Sequence, residues 1–304
     1  MDSRAWPTPE PIRCADAAEL LATLDPSSTP WQPFEYGRWA FRGQANASWD
    51  LIPSALRPGQ RLSFRDSTTY ALLADRRQQR EAEARLLVDF VELADELGFR
   101  LPGDLTEFRF PWKQHESQVQ LNASWPPTSI LEIAAIAQHH GVPTRLLDFT
   151  FNPLVAAYFA AADAIQSDSL AVWAVDTEFV RLAWPDFESG IRVVQVSRGA
   201  NPFLHAQSGL FLYDAAHTSI SLRQRILDHD VGSQSHIDRP TKDHLARSAR
   251  VRCITIPGNH RASLLDRLSA RRVTRAHLQP TLDNVVGELW ATVPERHDVS
   301  DDGA

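Results

Sequence analysis

From Leu154 to Ile165 the chain reads Leu-Val-Ala-Ala-Tyr-Phe-Ala-Ala-Ala-Asp-Ala-Ile, a helical stretch with almost no polar face. Asn152 is placed to cap it and Pro153 to occupy its first turn, where a missing N–H costs nothing. A helix that is apolar all round is stable in water only when it is covered on every side. Whatever this chain folds into must therefore build its core around residues 153–165.

The flanking patterns say what supplies that core. Trp39 to Gln44 reads as a short strand ending at Gly43, with Trp39 and Phe41 on one face and Ala40 and Arg42 on the other. Leu51 and Ile52 resume an extended run that Pro53 ends. Asp66 to Leu97 is the longest helical pattern, carrying Leu73, Leu86, Phe90, Leu93 and Leu97, with Gly98 as its stop. Ser129 and Glu132 have the spacing of a capping box before a helix that runs to His140 and ends at Gly141. Arg145 to Thr150 is a strand. Further strands are expected at 170–175, 191–196, 209–213 and 251–256, and helices at 221–228, 260–271 and 282–290. Residues 99–127 and 231–249 read as polar excursions. The expected architecture is α+β, with helices gathered early and strands late. Residues 1–35, rich in proline, read as an irregular arm with one short helix from Asp16 to Leu24. Residues 36–292 read as a single domain and 293–304 as a frayed tail.

Composition excludes several classes. The chain has 304 residues, 43% hydrophobic and 23% charged, with a net charge of −7. That balance does not suit a protein whose whole surface grips nucleic acid. No apolar run approaches the ~20 residues of a membrane span, and the first residues lack the pattern of a secretory signal. Cys14 and Cys253 stand alone, so neither a disulfide framework nor a cysteine-rich zinc site is expected. A cytoplasmic setting, with no membrane partner, follows as the expectation. Of 31 basic side chains only Lys113 and Lys242 are lysines; the rest are arginines, whose planar forks suit phosphates.

Two segments concentrate polar groups where the pattern is otherwise that of a core. The first is Phe41-Arg42-Gly43-Gln44, followed by Trp49, Leu51, Pro53 and Arg57. Glycine on a strand lets a ligand or another backbone come close, and an adjacent arginine offers five donors to a phosphate or a carboxylate. An ion pair between Arg42 and a buried acid such as Asp148 is the competing structural role. The second segment runs from His139 to Pro153 and holds His139, His140, Thr144, Arg145, Asp148, Thr150 and Asn152. Polar groups at a buried strand need partners, from a ligand or from each other. Adjacent histidines without a spaced third ligand are a weak metal signature, so no metal is expected. A lesser spot is Gln207-Ser208-Gly209 before a strand. Glycine-rich dinucleotide and phosphate loops and the serine nucleophile elbow are all missing from the sequence.

These segments resemble the FRG domain family, named for the triplet that stands here as Phe41-Arg42-Gly43. The resemblance continues through Gln44, Trp49, Leu51, Pro53, Ser54 and Arg57. It resumes from Ala137 to Asp148, then at Thr150, Asn152-Pro153 and Ala156 to Ala161, and again from Ala206 to Phe211, covering about residues 35–290. The pattern is also similar to ADP-ribosyltransferases of the R-S-E type, with Arg42 matching the first element and Thr144 to Thr150 the second. The third element departs: Gln207-Ser208-Gly209 contains no glutamate, and Glu178 and Glu188 carry no motif. The resemblance implies an ADP-ribosyltransferase-like, largely antiparallel sheet flanked by helices, and NAD as co-substrate without a metal. It also implies a macromolecular acceptor such as a nucleic acid, in a toxin or phage-defence effector. On that reading Arg42 and Arg145 hold phosphates, the Gly43 backbone reaches the nicotinamide amide, and Gln44 is a further cofactor-binding residue. Thr144, Thr150 or Gln207 takes a ribose hydroxyl. Asp148 orients the ligand, Asn152 is a further cofactor-binding residue, His139 or His140 acts as general base, and Arg42 and Gln207 complete the catalytic candidates. A non-catalytic nucleotide-binding or sensing module, and an NAD glycohydrolase, are the alternatives.

Overall fold

A computed structural model describes residues 10–32, 35–64, 69–71, 75–101, 125–162, 167–185, 190–196, 202–216, 221–229 and 250–291. The expected excursion at 231–249, most of the one at 99–127, and the tail at 293–304 lie outside them. The apolar helix, α4 (Pro153–Ala162), is covered as its sequence demands. Preceding it in the chain are β1 (Ile12–Arg13), α1 (Ala17–Thr23), β2 (Trp39–Gln44), α2 (Arg76–Glu96), α3 (Leu131–His139) and β3 (Leu147–Thr150). Following it are β4 (Ser169–Asp176), α5 (Thr177–Ala183), β5 (Ile191–Val194), α6 (Pro202–Ala206), β6 (Gly209–Asp214), α7 (Leu222–Leu227), β7 (Val251–Pro257), α8 (Arg261–Ser269), α9 (Arg275–Leu278) and α10 (Leu282–Ala291).

The strands form one seven-stranded sheet in the order β1-β7-β4-β2-β3-β6-β5. Every neighbouring pair is antiparallel except β1 with β7. This is the mixed, mostly antiparallel α+β architecture expected. Helices and strands interleave, however, rather than separating into an early and a late group.

Alternation along β2 works as read. Trp39 and Phe41 enter a core with α1, α4 and α8, while Ala40 enters a core on the opposite face with Phe179 and Ile226. A third cluster packs α2 and α3 against Phe211 and Tyr213 of β6. In register, Phe41 stands opposite Thr150 and Asp148 opposite Phe211, so these residues share one face of the sheet. That face therefore carries two helical layers: α1, α4 and α8 over β7-β4-β2, and α2 with α3 over β6. The seam between the layers falls at β2 and β3.

Three local expectations are corrected. The long helix begins at Arg76, not in the sixties: Asp75 accepts from the N–H groups of Arg77 and Gln78, and Arg61 pairs with Tyr70 as an isolated bridge. The Ser129 capping box does not form. Thr128–Ile130 is a 3-10 turn following Pro127, and Ile130 stands at the cap of α3 with no side-chain bond. The N-terminal segment carries its expected short helix, α1, but it also adds the edge strand β1 where an irregular arm was expected, and Leu20, Leu24 and Trp31 are fully buried. Asn152 caps α4 as expected, accepting from the Leu154 N–H at 3.0 Å, and Gly98 and Gly141 follow their helices with φ of +77° and +89°.

Candidate active site

The seam is held by little main-chain bonding. β2 pairs with β4 along its whole length, and β3 pairs with β6 along its whole length, but β2 and β3 share one residue pair, Phe41 with Thr150. Beyond it the strands part, and the carbonyl of Asp148 needs another partner. Arg42 supplies it: its Nη1 donates to the Asp148 carbonyl oxygen at 2.8 Å and lies 3.7 Å from the Asp148 carboxylate. The Arg42 side chain is 16% exposed and that of Asp148 63%. The acid is thus presented to solvent beside a largely enclosed cation.

Two cavities flank this contact. One, about 300 Å³, is lined by Gly43, His139, Thr150, Phe159, Gln207 and Gln279. The other, about 220 Å³, is lined by Ser54, Arg57, Gln60, Gly141, Val142 and Pro143. Arg42, Gln138 and Asp148 line both, so this trio forms the partition between two chambers of one cleft. The second chamber brings a further guanidinium, Arg57, whose Nε donates to the Ile52 carbonyl at 3.3 Å. Arginine forks on a cleft of this kind suit a phosphate or pyrophosphate.

Gly43 is required by a backbone, not by a ligand. A Cβ there would stand 1.9 Å from the Ala156 carbonyl oxygen and 2.5 Å from the Ala160 nitrogen. The small residues of α4 and the bare Cα of Gly43 thus let the helix lie directly on β2.

The histidines separate. His139, the last residue of α3, lines the first chamber with its ring 4.4 Å from that of Phe203. Loss of hydration by surrounding protein, with His140 as the next cause, lowers its pKa below the ordinary histidine value. His139 is therefore a neutral imidazole near pH 7, able to accept a proton. His140 stands 5.4 Å away, ring to ring, and lines a neighbouring apolar groove instead of the cleft.

Several residues expected at the site are committed elsewhere. Arg145 is buried and makes a two-pronged bond to Glu83, Nε and Nη2 each donating to a carboxylate oxygen at 2.8 Å. Glu83 also accepts from Gln79 and from the Trp125 indole. Burial opposes the charge on Glu83, but Arg145 and these donors outweigh it and hold the carboxyl below its usual pKa. Arg145 is thus an internal strut for the strand that carries Asp148. Gln44 is buried on the other face, accepting from the Trp173 indole at 2.8 Å and donating to the Asp50 carbonyl at 3.2 Å. The Thr144 hydroxyl donates to the Gln138 side chain and accepts from the Leu146 N–H. The Thr150 hydroxyl donates to the Gln207 carbonyl at 2.6 Å and accepts from the Asn152 N–H at 2.9 Å. Asn152 is a helix cap. Gln207 reaches the chamber, but its amide donates to the Leu278 carbonyl at 3.0 Å.

Arg57 stood in the first polar segment but was given no role, and Gln138 lies inside a stretch that resembles the FRG family, so a signal existed for both. Gln60, in the second chamber, and Gln279, in the first, carried none.

Residues 37–169 match the FRG domain. That match contains Arg42, Gln138, His139 and Asp148, and ends before Gln207. No curated protein and no solved structure matches the chain.

Proposed function

Starting from an FRG domain built around a split sheet, we propose that the cleft binds NAD and that the chain transfers its ADP-ribosyl group to a macromolecular acceptor. The observation that carries this reading is the placing of Arg42 and the Asp148 carboxylate on both chambers at once, with neutral His139 at the edge of one. The two chambers, about 300 and 220 Å³, fall together within the range of small-molecule sites, roughly 300–1,000 Å³.

Breaking the glycosidic bond of NAD develops positive charge on the ribose. An ionised carboxylate is suited to stabilise that charge, and among the described residues Asp148 is the acid that lines the cleft. It takes the part that the missing glutamate near Gln207 left open. Arg42 and Arg57 face the pyrophosphate. In the step, the bond between the ribose anomeric carbon and the nicotinamide nitrogen breaks, and nicotinamide leaves with the bonding pair. A nucleophilic oxygen or nitrogen of the acceptor bonds to the anomeric carbon and gives its proton to His139. An activity of this kind suits a toxin or phage-defence effector.

The test is nicotinamide release from NAD by purified protein, alone and with single-stranded DNA, RNA or a protein lysate. Release stimulated by one addition, lost in Arg42→Ala and in Asp148→Asn, is the expected result. Release with water alone would identify a glycohydrolase. NAD binding without release would leave a nucleotide-sensing module. Unchanged NAD affinity and turnover in Arg42→Ala would overturn the site itself.

A further inference from the structure

His139 belongs to a second concavity as well as to the cleft. An apolar groove of about 450 Å³ runs beside it, lined by Phe90 and Leu93 of α2, by Leu97 and Phe99 just past its end, by Ile136 of α3 and by Phe203. From this groove we infer the class of acceptor: it is a protein, which docks here by an apolar side chain flanked by basic residues. The inference rests on the ADP-ribosyl-transfer reading above, because it uses His139 as the point where acceptor and sugar meet.

Three observations select that occupant. The lining is largely hydrocarbon, which suits an apolar anchor and offers few groups to the polar edges of a nucleobase. The apolar surface also extends beyond the groove. Leu97 and Phe99 are 64% and 66% exposed, so a small buried ligand would leave much of it uncovered, whereas a protein segment would cover it. Finally, Asp89, Glu92 and Glu96 recur at i, i+3 and i+7 on α2, forming an acidic stripe beside the apolar one. Among the described residues, Arg100 is the single arginine lining the groove. The acidic stripe stands beside the lining rather than in it, and on a chain of net charge −7 it disfavours a phosphate backbone and favours a basic peptide at the groove's edge.

The experiment uses the full chain and a fluorescein-labelled helical peptide of about fifteen residues, with Leu and Phe at i, i+4 and i+7 and lysines elsewhere. A second peptide has serine in place of the anchors, and labelled oligothymidylate stands for nucleic acid. The first peptide should bind at least roughly tenfold tighter than the second, and Leu97→Asp should abolish that preference. Leu97→Ser, which adds no charge, should reduce it. Both variants should melt with the wild type, since the side chain is exposed. Equal binding of the two peptides, or a preference that survives both variants, overturns the inference. So does oligothymidylate binding that Leu97→Asp removes.

Peptide binding is read without NAD, so it stands or falls apart from the transfer chemistry. The acceptor role is then read with biotin-bearing NAD in a lysate. Label should be sensitive to protease and resistant to nuclease, and Leu97→Asp should lower the ratio of labelled protein to nicotinamide released. Nuclease-sensitive label would overturn the protein acceptor while leaving the transferase standing. Absence of any release alongside intact peptide binding would overturn the transferase and leave a docking groove.

Discussion

Gly43→Ala isolates the contact that sets α4 against the sheet. The added Cβ would lie 1.9 Å from the Ala156 carbonyl oxygen, where ordinary contact begins at 3.4 Å, so the helix has to retreat by roughly 1.5 Å or the strand has to bend. The obstacle is backbone, which has no rotamer to swing away. Forcing extra atoms into a packed core costs about 1–3 kcal/mol and sometimes more, and the upper end applies here. Alanine narrows the unfolded ensemble, which returns about 0.4–1 kcal/mol. The net loss should be about 2–3 kcal/mol. At about 2–4 °C per kcal/mol, thermal unfolding followed by circular dichroism should shift downward by about 5–10 °C. Gly287→Ala is the control of opposite sign. It lies inside α10 with nothing within 4 Å of the added Cβ, so alanine should raise stability by up to about 1 kcal/mol. If Gly43→Ala melts within about a degree of wild type, the packing of α4 on β2 is not as described and the argument from it fails.

Other consequences are simpler to check. Glu83→Gln leaves Arg145 charged and buried without its partner, which should cost about 3–5 kcal/mol in urea unfolding; adding Arg145→Met to Glu83→Gln should recover part of it. The same pair has a pH signature. The folded pKa of Glu83 lies below its unfolded value, so its contribution is complete above the ordinary glutamate pKa and is lost as pH falls through the lower, folded one; Glu83→Gln should flatten that acid limb in stability measured against pH. Under the proposed mechanism His139 must be neutral, and its pKa is lowered. Nicotinamide release should therefore hold at neutral pH and decline only below about 6.5, and His139→Gln should remove that limb. Asn152→Ala deletes the cap of α4 and should cost about 1 kcal/mol.

Every strand but β1, and most helices, were readable because alternation and helical spacing are local. Trp39 to Gln44 announced its two faces, and Asn152-Pro153 announced the start of α4. What failed depended on partners far away in the chain. Arg145 looked available because its partner Glu83 lies 62 residues earlier, one carboxylate among the many charges of α2, and nothing local marks it as buried. Thr144, Thr150 and Asn152 looked like ligand groups, yet each is consumed in turning the chain into or out of β3. The concentration of polar residues near one strand was a real signal, but of two things at once. Arg42, His139 and Asp148 reach the cleft, Thr144, Arg145, Thr150 and Asn152 brace the backbone that presents them, and His140 turns to the neighbouring groove. The Ser129–Glu132 spacing misled because a 3-10 turn after Pro127 took up the residues that a capping box would have used.

The single pairing of Phe41 with Thr150 divides the sheet into two ladders joined by one rung. One ladder is β1-β7-β4-β2 and the other is β3-β6-β5. Cooperative main-chain protection does not pass through one rung. Amide hydrogen exchange should therefore sort the strands into two blocks with separate opening free energies, and the Asp148–Arg42 contact would be the place where those blocks report to each other. A ligand that bridges Arg42 and Asp148 would act as a second rung, and binding would be visible as slowed exchange in both blocks, far from any atom the ligand touches.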